Sequence, residues 1–174
     1  MQQRLHHAAQ ALGWDGRLIP DVEVHGTRFT AVARIRPNVH RWRMHNGWDP
    51  ELDPAWFKTW SEPEHHDQLP VAAVDLLGTL VPVSRPGKAL QACGMLLTLA
   101  PCAAVLPSRG TDDVLSMLEL DYYGAGAVRT SSRGEAELII APEDRTAEFG
   151  SSTFGRWLLE VLYSKLLEPE TEHA

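Results

Sequence analysis

An α+β domain is what this sequence predicts: antiparallel strand groups at about 20–45 and 115–141, packed with helices that include an apolar C-terminal helix at 152–168. Three observations carry that expectation. Apolar and polar residues alternate with period two from Val22 to Ile35, two further β-rich runs flank a turn at residues 131–134, and no strict strand–helix–strand cadence links the two groups. At 174 residues, 44% of them hydrophobic, the chain has the length of one domain and enough material for a core without disulfide or metal staples. A single globular domain over 1–168 is expected, with 169–174 as a disordered tail.

The elements follow in order. Gln2 to Leu12 reads as a short helix stopped by Gly13, which accepts the left-handed conformation after a helix end. Val22 and Val24 alternate with Glu23 and His25, and after Gly26 the residues Phe29, Ala31, Ala33 and Ile35 alternate with Arg28, Thr30, Val32, Arg34 and Arg36. A two-residue turn at His25-Gly26 sets Val22 opposite Phe29 and Glu23 opposite Arg28, two favourable cross-strand pairs. Val39 to His45 alternates again and is expected as a third strand after Pro37-Asn38. Pro54 opens a short helix carrying Trp56 and Trp60. Leu69 to Ala100 reads as two apolar helices broken near 82–87, and Cys102 to Leu106 as a buried strand.

Val114 to Tyr123 fits both periods: Leu115, Leu118 and Tyr122 suit a helix, whereas Leu118, Leu120 and Tyr122 suit a strand. The strand is preferred. Ala125–Thr130 and Glu135–Ala141 are expected to pair as a hairpin, and Ser152 to Glu168 forms a helix capped by its serine and stopped before Pro169.

The net charge of −7 is unevenly spread. Residues 1–48 hold seven Arg and three acids, while the remainder holds nine basic and twenty acidic residues. An anionic partner would therefore have to dock on the first part, and overall acidity counts against nucleic acid. Cys93 and Cys102 lie in an apolar stretch with no second pair, so reduced thiols in a cytoplasm are expected. The N-terminal residues lack a signal-peptide core. Pro101 divides the charge-free run Ala89–Pro107 and Gln91 and Gly94 dilute it, so a buried helix and strand are expected there, not a membrane span.

Several residue groups could carry chemistry, and each has a plainer reading. On two neighbouring strands Arg34, Arg36, Arg41 and Arg43 would share one side and repel one another unless an anion or the chain's own acids neutralised them. Trp42, Trp48, Trp56 and Trp60 fall within nineteen residues and, with His65 and His66, would line a ligand pocket or pin loops to the sheet. No metal-ligand spacing accompanies the histidines, so no metal site is expected. Ser84-Arg-Pro-Gly-Lys88 ends like a phosphate loop but lacks its first glycine and its Ser or Thr. Ser108 to Asp113 follows a buried strand, where ligands often bind, but Asp112 and Asp113 would repel phosphate there and a solvated loop is expected. Nothing specifies a cofactor; a haem at His40 would find only Arg36, Arg41 and Arg43 for its propionates.

The last helix supports a partner more directly. A wheel gathers Thr153, Arg156, Glu160, Ser164 and Glu168 into one polar stripe, leaving Trp157, Leu159, Leu162, Tyr163 and Leu166 on a broad apolar surface. That surface is expected to pair with a second copy. The sequence thus points to a self-associating protein-interaction or regulatory domain. A small-molecule enzyme or ligand-binding protein using the Trp and His residues is the alternative, and nucleic-acid or anion binding through the Arg residues the third reading.

Overall fold

The computed structural model describes residues 1–60, 62–68, 71–108, 113–131, 133, 135–149 and 152–168. The expected tail at 169–174 and parts of the 108–113 and 131–134 loops lie outside the described residues. The class is α+β, built on one six-stranded mixed sheet. Its contacts divide the chain into two compact units, Met1–Val32 with Leu76–Gly150 and Ala33–Asp75 with Ser151–Ala174.

In the first unit, helix α1 (Gln2–Ala11) ends at Gly13, whose φ of 70° is the left-handed stop expected of it. Strands β1 (Arg17–Val24) and β2 (Thr27–Ile35) follow. The turn between them is His25-Gly26, with φ of 48° and 78°, the positive pair that a two-residue hairpin turn requires. Val22 and Phe29 are buried, while Glu23 and Arg28 face each other at 3.6 Å in solvent. Pro20 is tolerated because β1 is the edge of the sheet.

The sheet order is β1-β2-β3-β4-β5-β6, with β3 at Val74–Pro82, β4 at Cys102–Pro107, β5 at Gly126–Thr130 and β6 at Ala136–Ile140. Strands β3, β4 and β5 run parallel, and β6 closes antiparallel against β5, as the expected hairpin. The strand groups are thus not purely antiparallel. The segment expected as a first apolar helix is β3: Gly78 to Val81 is buried throughout, the unbroken burial of a strand at a sheet centre instead of alternation. Helix α4 (Ala89–Cys93) crosses from β3 to β4, flanked by short 3₁₀ turns at Pro86–Lys88 and Leu96–Thr98.

Residues 114–123 are also corrected. They form helix α5 (Val114–Tyr122), started by Asp113, whose side chain accepts a hydrogen bond from the Ser116 amide. Leu5, Ala8 and Ala9 of α1 pack on Val32, Leu80, Ala103, Val105 and Val128. Because strand side chains alternate, Cys102, Ala104 and Leu106 of β4 point to the opposite face, and α4 contacts β4 while α5 contacts β5.

In the second unit, Pro37–His45 is helix α2, not a third strand. Pro37 occupies the first helical turn, where its missing N–H costs nothing and its fixed φ suits the helix. The short helices α3 (Pro54–Trp60) and α6 (Thr146–Phe149) precede the final helix α7 (Thr153–Leu167), of which α3 and α7 belong to this unit. Ser152 caps α7 by accepting from the Gly155 amide at 2.9 Å. No helix among the described residues is long and apolar enough to cross a membrane.

Candidate functional site

The four arginines do not form one cationic face, because the strand expected to carry two of them is a helix. Arg34 and Arg36 both turn to Asp75, at 3.6 and 2.6 Å. Arg41 is exposed on α2, and Arg43, two residues on, is buried. Its guanidinium donates to both carboxylate oxygens of Glu160 at 2.9 and 2.8 Å and to the carbonyls of Trp48 and Asp49. Arg43 Cζ also lies 4.8 Å from the centre of the Tyr163 ring. The Tyr163 hydroxyl sits 2.8 Å from His40 Nδ1. Glu160 further accepts the Glu51 amide at 3.1 Å and pairs with Arg156 at 2.6 Å.

This network explains two electrostatic shifts. Burial pushes the Glu160 carboxyl up, but the Arg43 hydrogen bond, the Arg156 charge and the Glu51 amide together hold it below the ordinary carboxylate range. Burial raises the Tyr163 phenol, against the opposing charge of Arg43. With four of its five N–H donors bonded to protein acceptors, Arg43 holds the Trp48–Glu51 loop to α7 in the second unit.

The network also overturns the expected polar stripe of α7. Glu160, assigned to solvent, is buried, and so are Leu162, Tyr163 and Leu166, while Trp157 and Leu159 are partly covered. Only Leu167 among the apolar residues of α7 is exposed. The residues of α7 expected to meet a second copy are thus buried or half-buried within the chain.

The aromatic group divides similarly. Trp60 is buried, whereas Trp42, Trp48 and Trp56 are exposed, with Trp42 and Trp48 in edge-to-face contact at 5.6 Å. The four therefore do not line one accessible surface. His65 lies 3.6 Å from Glu62, and the side chain of His66 is outside the described residues. Glu62, Glu64 and His65 approach one another closely enough to share a cation, but both acids are exposed and His65 is only half-buried. Acids so placed are common without an ion.

A different surface stands out in the first unit. On α5 the side chains facing the interior are Ser116 and Leu120. Placed at 100° per residue, the opposite direction is occupied by Val114, Leu115, Leu118 and Tyr122, exposed to 68%, 67%, 60% and 76%. Asp121 flanks this ridge on one side and Glu119 on the other, both exposed. A helix on the surface normally turns charge outward. Here the outward ridge is apolar and its borders are acidic. The N-cap is well built: the Ser116 hydroxyl donates to Asp113 Oδ2 at 2.5 Å, and this bond leads the interactions that hold the Asp113 carboxyl below the ordinary carboxylate range. The helix ends at Gly124, whose φ of 75° a residue with a side chain would rarely adopt.

The ridge escapes a reading of the sequence because its apolar residues satisfy a strand period too. The signal that identifies the helix is Asp113 directly before the apolar run that begins at Val114, a helix-start pattern. No family model, curated protein or solved structure matches the chain.

Proposed function

We propose that this chain is a protein-interaction domain whose docking face is the outward ridge of α5, serving a regulatory or accessory role. The observation that carries the reading is the direction of that ridge. Val114, Leu115, Leu118 and Tyr122 point away from the interior that Ser116 and Leu120 face, and contiguous exposed apolar patches with polar borders mark interaction sites. The spacing 115, 118, 122 is the one with which a helix meets a groove or another helix. Cys93 and Cys102, buried and unbridged, support a reducing, cytoplasmic setting.

The borders favour a partner over a second copy. Two α5 ridges related by a twofold axis would bring Glu119 and Asp121 of one chain toward the same acids of the other, in a protein already at net charge −7. A partner helix with an apolar seam and lysine or arginine borders meets the ridge without that repulsion.

Two synthetic helical peptides provide the test, one with a leucine seam and lysine borders, one with the same seam and glutamate borders. Fluorescence anisotropy should show the lysine peptide binding at least about tenfold more tightly, with affinity lost in Leu118→Asp. Equal binding of both peptides, or unchanged affinity in Leu118→Asp, would defeat the reading. Sedimentation of the chain alone should show a monomer at micromolar concentration. A dimer that Leu118→Asp dissociates would reassign the ridge to self-association.

A further inference from the structure

A crevice of about 410 Å³ opens in the first unit, at the carboxyl end of β3 and beside the β1–β2 turn. Its wall combines Thr27 and Arg28 from the start of β2, Val81 from β3, Ser84 from the following loop, and Lys88 and Gln91 at the entry to α4. We propose that it binds a small phosphate monoester, the phosphoryl group held by Arg28 and Lys88 and the organic part by Thr27, Ser84 and Gln91.

Charge is the first argument. Both ionisable side chains lining the crevice are cations and no carboxylate lines it, although the chain as a whole carries 23 acids against 16 Lys and Arg. Lys88 is exposed and makes no ion pair among the described residues. Among the described residues Arg28 meets only Glu23, at 3.6 Å and largely in solvent, a contact too screened to occupy a guanidinium that has five N–H donors. A dianionic phosphoryl group satisfies an ammonium and a planar guanidinium together, and the guanidinium can grip two of its oxygens at once.

Position is the second argument. Strands β3 and β4 are parallel and joined through α4, so the loop after β3 lies at the carboxyl edge of the parallel strands, where crevices in such sheets accept ligands. The Ser84–Lys88 segment is brought there by the fold. Gly87 lies within it, and a Cβ built on Gly87 would come 3.4 Å from the Ser116 hydroxyl and 3.9 Å from Asp113 Oδ2. The segment is thereby set against the capped start of α5.

Size is the third. The volume falls at the lower end of the range for small-molecule sites, enough for a phosphorylated sugar and too small for a large cofactor. The remaining lining groups, two hydroxyls and one carboxamide, can each donate and accept, which suits a polyol.

The test is an amide-shift titration by NMR with three probes: ribose 5-phosphate, inorganic phosphate and succinate. Ribose 5-phosphate should give saturable shifts at Arg28, Ser84 and Lys88 with sub-millimolar affinity, phosphate the same shifts more weakly, and succinate none or far weaker ones. Lys88→Gln and Arg28→Gln should each weaken ribose 5-phosphate about tenfold, while Arg41→Gln, which removes an exposed cation elsewhere, should not. Non-saturating shifts shared by all three probes, or unchanged affinity in both crevice variants, would overturn the proposal. Loss of binding to the lysine-bordered peptide leaves it intact, because no crevice residue belongs to the α5 ridge.

Discussion

Arg43 and Glu160 form a two-pronged ion pair inside the second unit, 117 positions apart in sequence, and each is 0% exposed. Burying either ion alone costs several kcal/mol, and the pair is tolerable because most of its remaining hydrogen-bonding capacity is met by the Trp48 and Asp49 carbonyls, the Glu51 amide and Arg156. Glu160→Gln leaves two arginines beside a neutral amide. It should destabilise the chain by roughly 3–5 kcal/mol in urea unfolding. Arg43→Lys should cost nearly as much, since an ammonium cannot reproduce the fork. The double variant Arg43→Met with Glu160→Met should be far closer to the native chain than either single change. If the single variants unfold at the native midpoint, the pair has no structural weight.

The same pair sets an acid-side pH dependence. Glu160 is held below its ordinary value in the fold, so the stability it contributes is fully present above its unfolded value near 4.3 and is lost as pH falls through the folded value. Tyr163 works in the other direction. Its phenol is raised by burial, so its contribution is complete below about 10 and is lost as pH climbs through the folded value. Unfolding free energies measured from pH 3 to 7 should fall toward acid more steeply in the native chain than in Glu160→Gln. Tyr163→Phe should flatten the alkaline limb only. Parallel curves for native chain and Glu160→Gln would contradict the assignment.

What the sequence makes legible is local. The His25-Gly26 turn needs two positive φ values, and its neighbours Val22, Glu23, Arg28 and Phe29 agree on a register, so hairpin and pairing can both be read. The last helix is legible for the same reason: Ser152 caps it and Pro169 stops it. Helix α2 is hidden because its buried member is Arg43, while Val39 to His45 follows the period-two alternation of a strand. The burial of Glu160 is hidden because its partner is distant, whereas a wheel of α7 assigns polar residues to water. The ridge on α5 is hidden because apolar residues lie on both its sides. In each failure a tertiary partner, present or awaited, decides the orientation. Of the crevice, Ser84 to Lys88 is visible as a segment, and Arg28 only as a strand residue.

Trp14 and Gly78 make a third prediction. The indole lies against β3 so closely that a Cβ placed on Gly78 would stand 2.4 Å from two ring carbons. A rigid ring that belongs to the border of the α1-side core cannot yield as a flexible side chain would. Gly78→Ala should therefore destabilise by about 1–3 kcal/mol even though alanine suits a strand better than glycine. The check is a combination: Trp14→Ala alone should lower the unfolding midpoint, and Gly78→Ala should cost much less in that background. Strict additivity of the two changes would mean that the contact carries no strain.

The direction of α5 yields the last prediction, and it separates two leucines only two positions apart. Leu120 is completely buried beside Ser116, so Leu120→Ala removes packed methyl groups and leaves a cavity, at about 2–5 kcal/mol. Leu118 stands on the opposite side at 60% exposure, where a substitution touches little of the interior. Leu118→Asp should lie within about 1 kcal/mol of the native stability, set mainly by the lower helix propensity of aspartate and by a like charge beside Glu119 and Asp121. Circular dichroism should show the native helix content in Leu118→Asp, and the variant should bind less of a dye that reports exposed apolar surface. Stability alone would not tell an interaction ridge from a harmless exposed leucine; the pairing of an unchanged fold with lost peptide binding does. If Leu118→Asp instead unfolds the chain as Leu120→Ala does, Leu118 faces the interior, α5 has no outward apolar ridge, and the docking function that rests on that ridge falls with it.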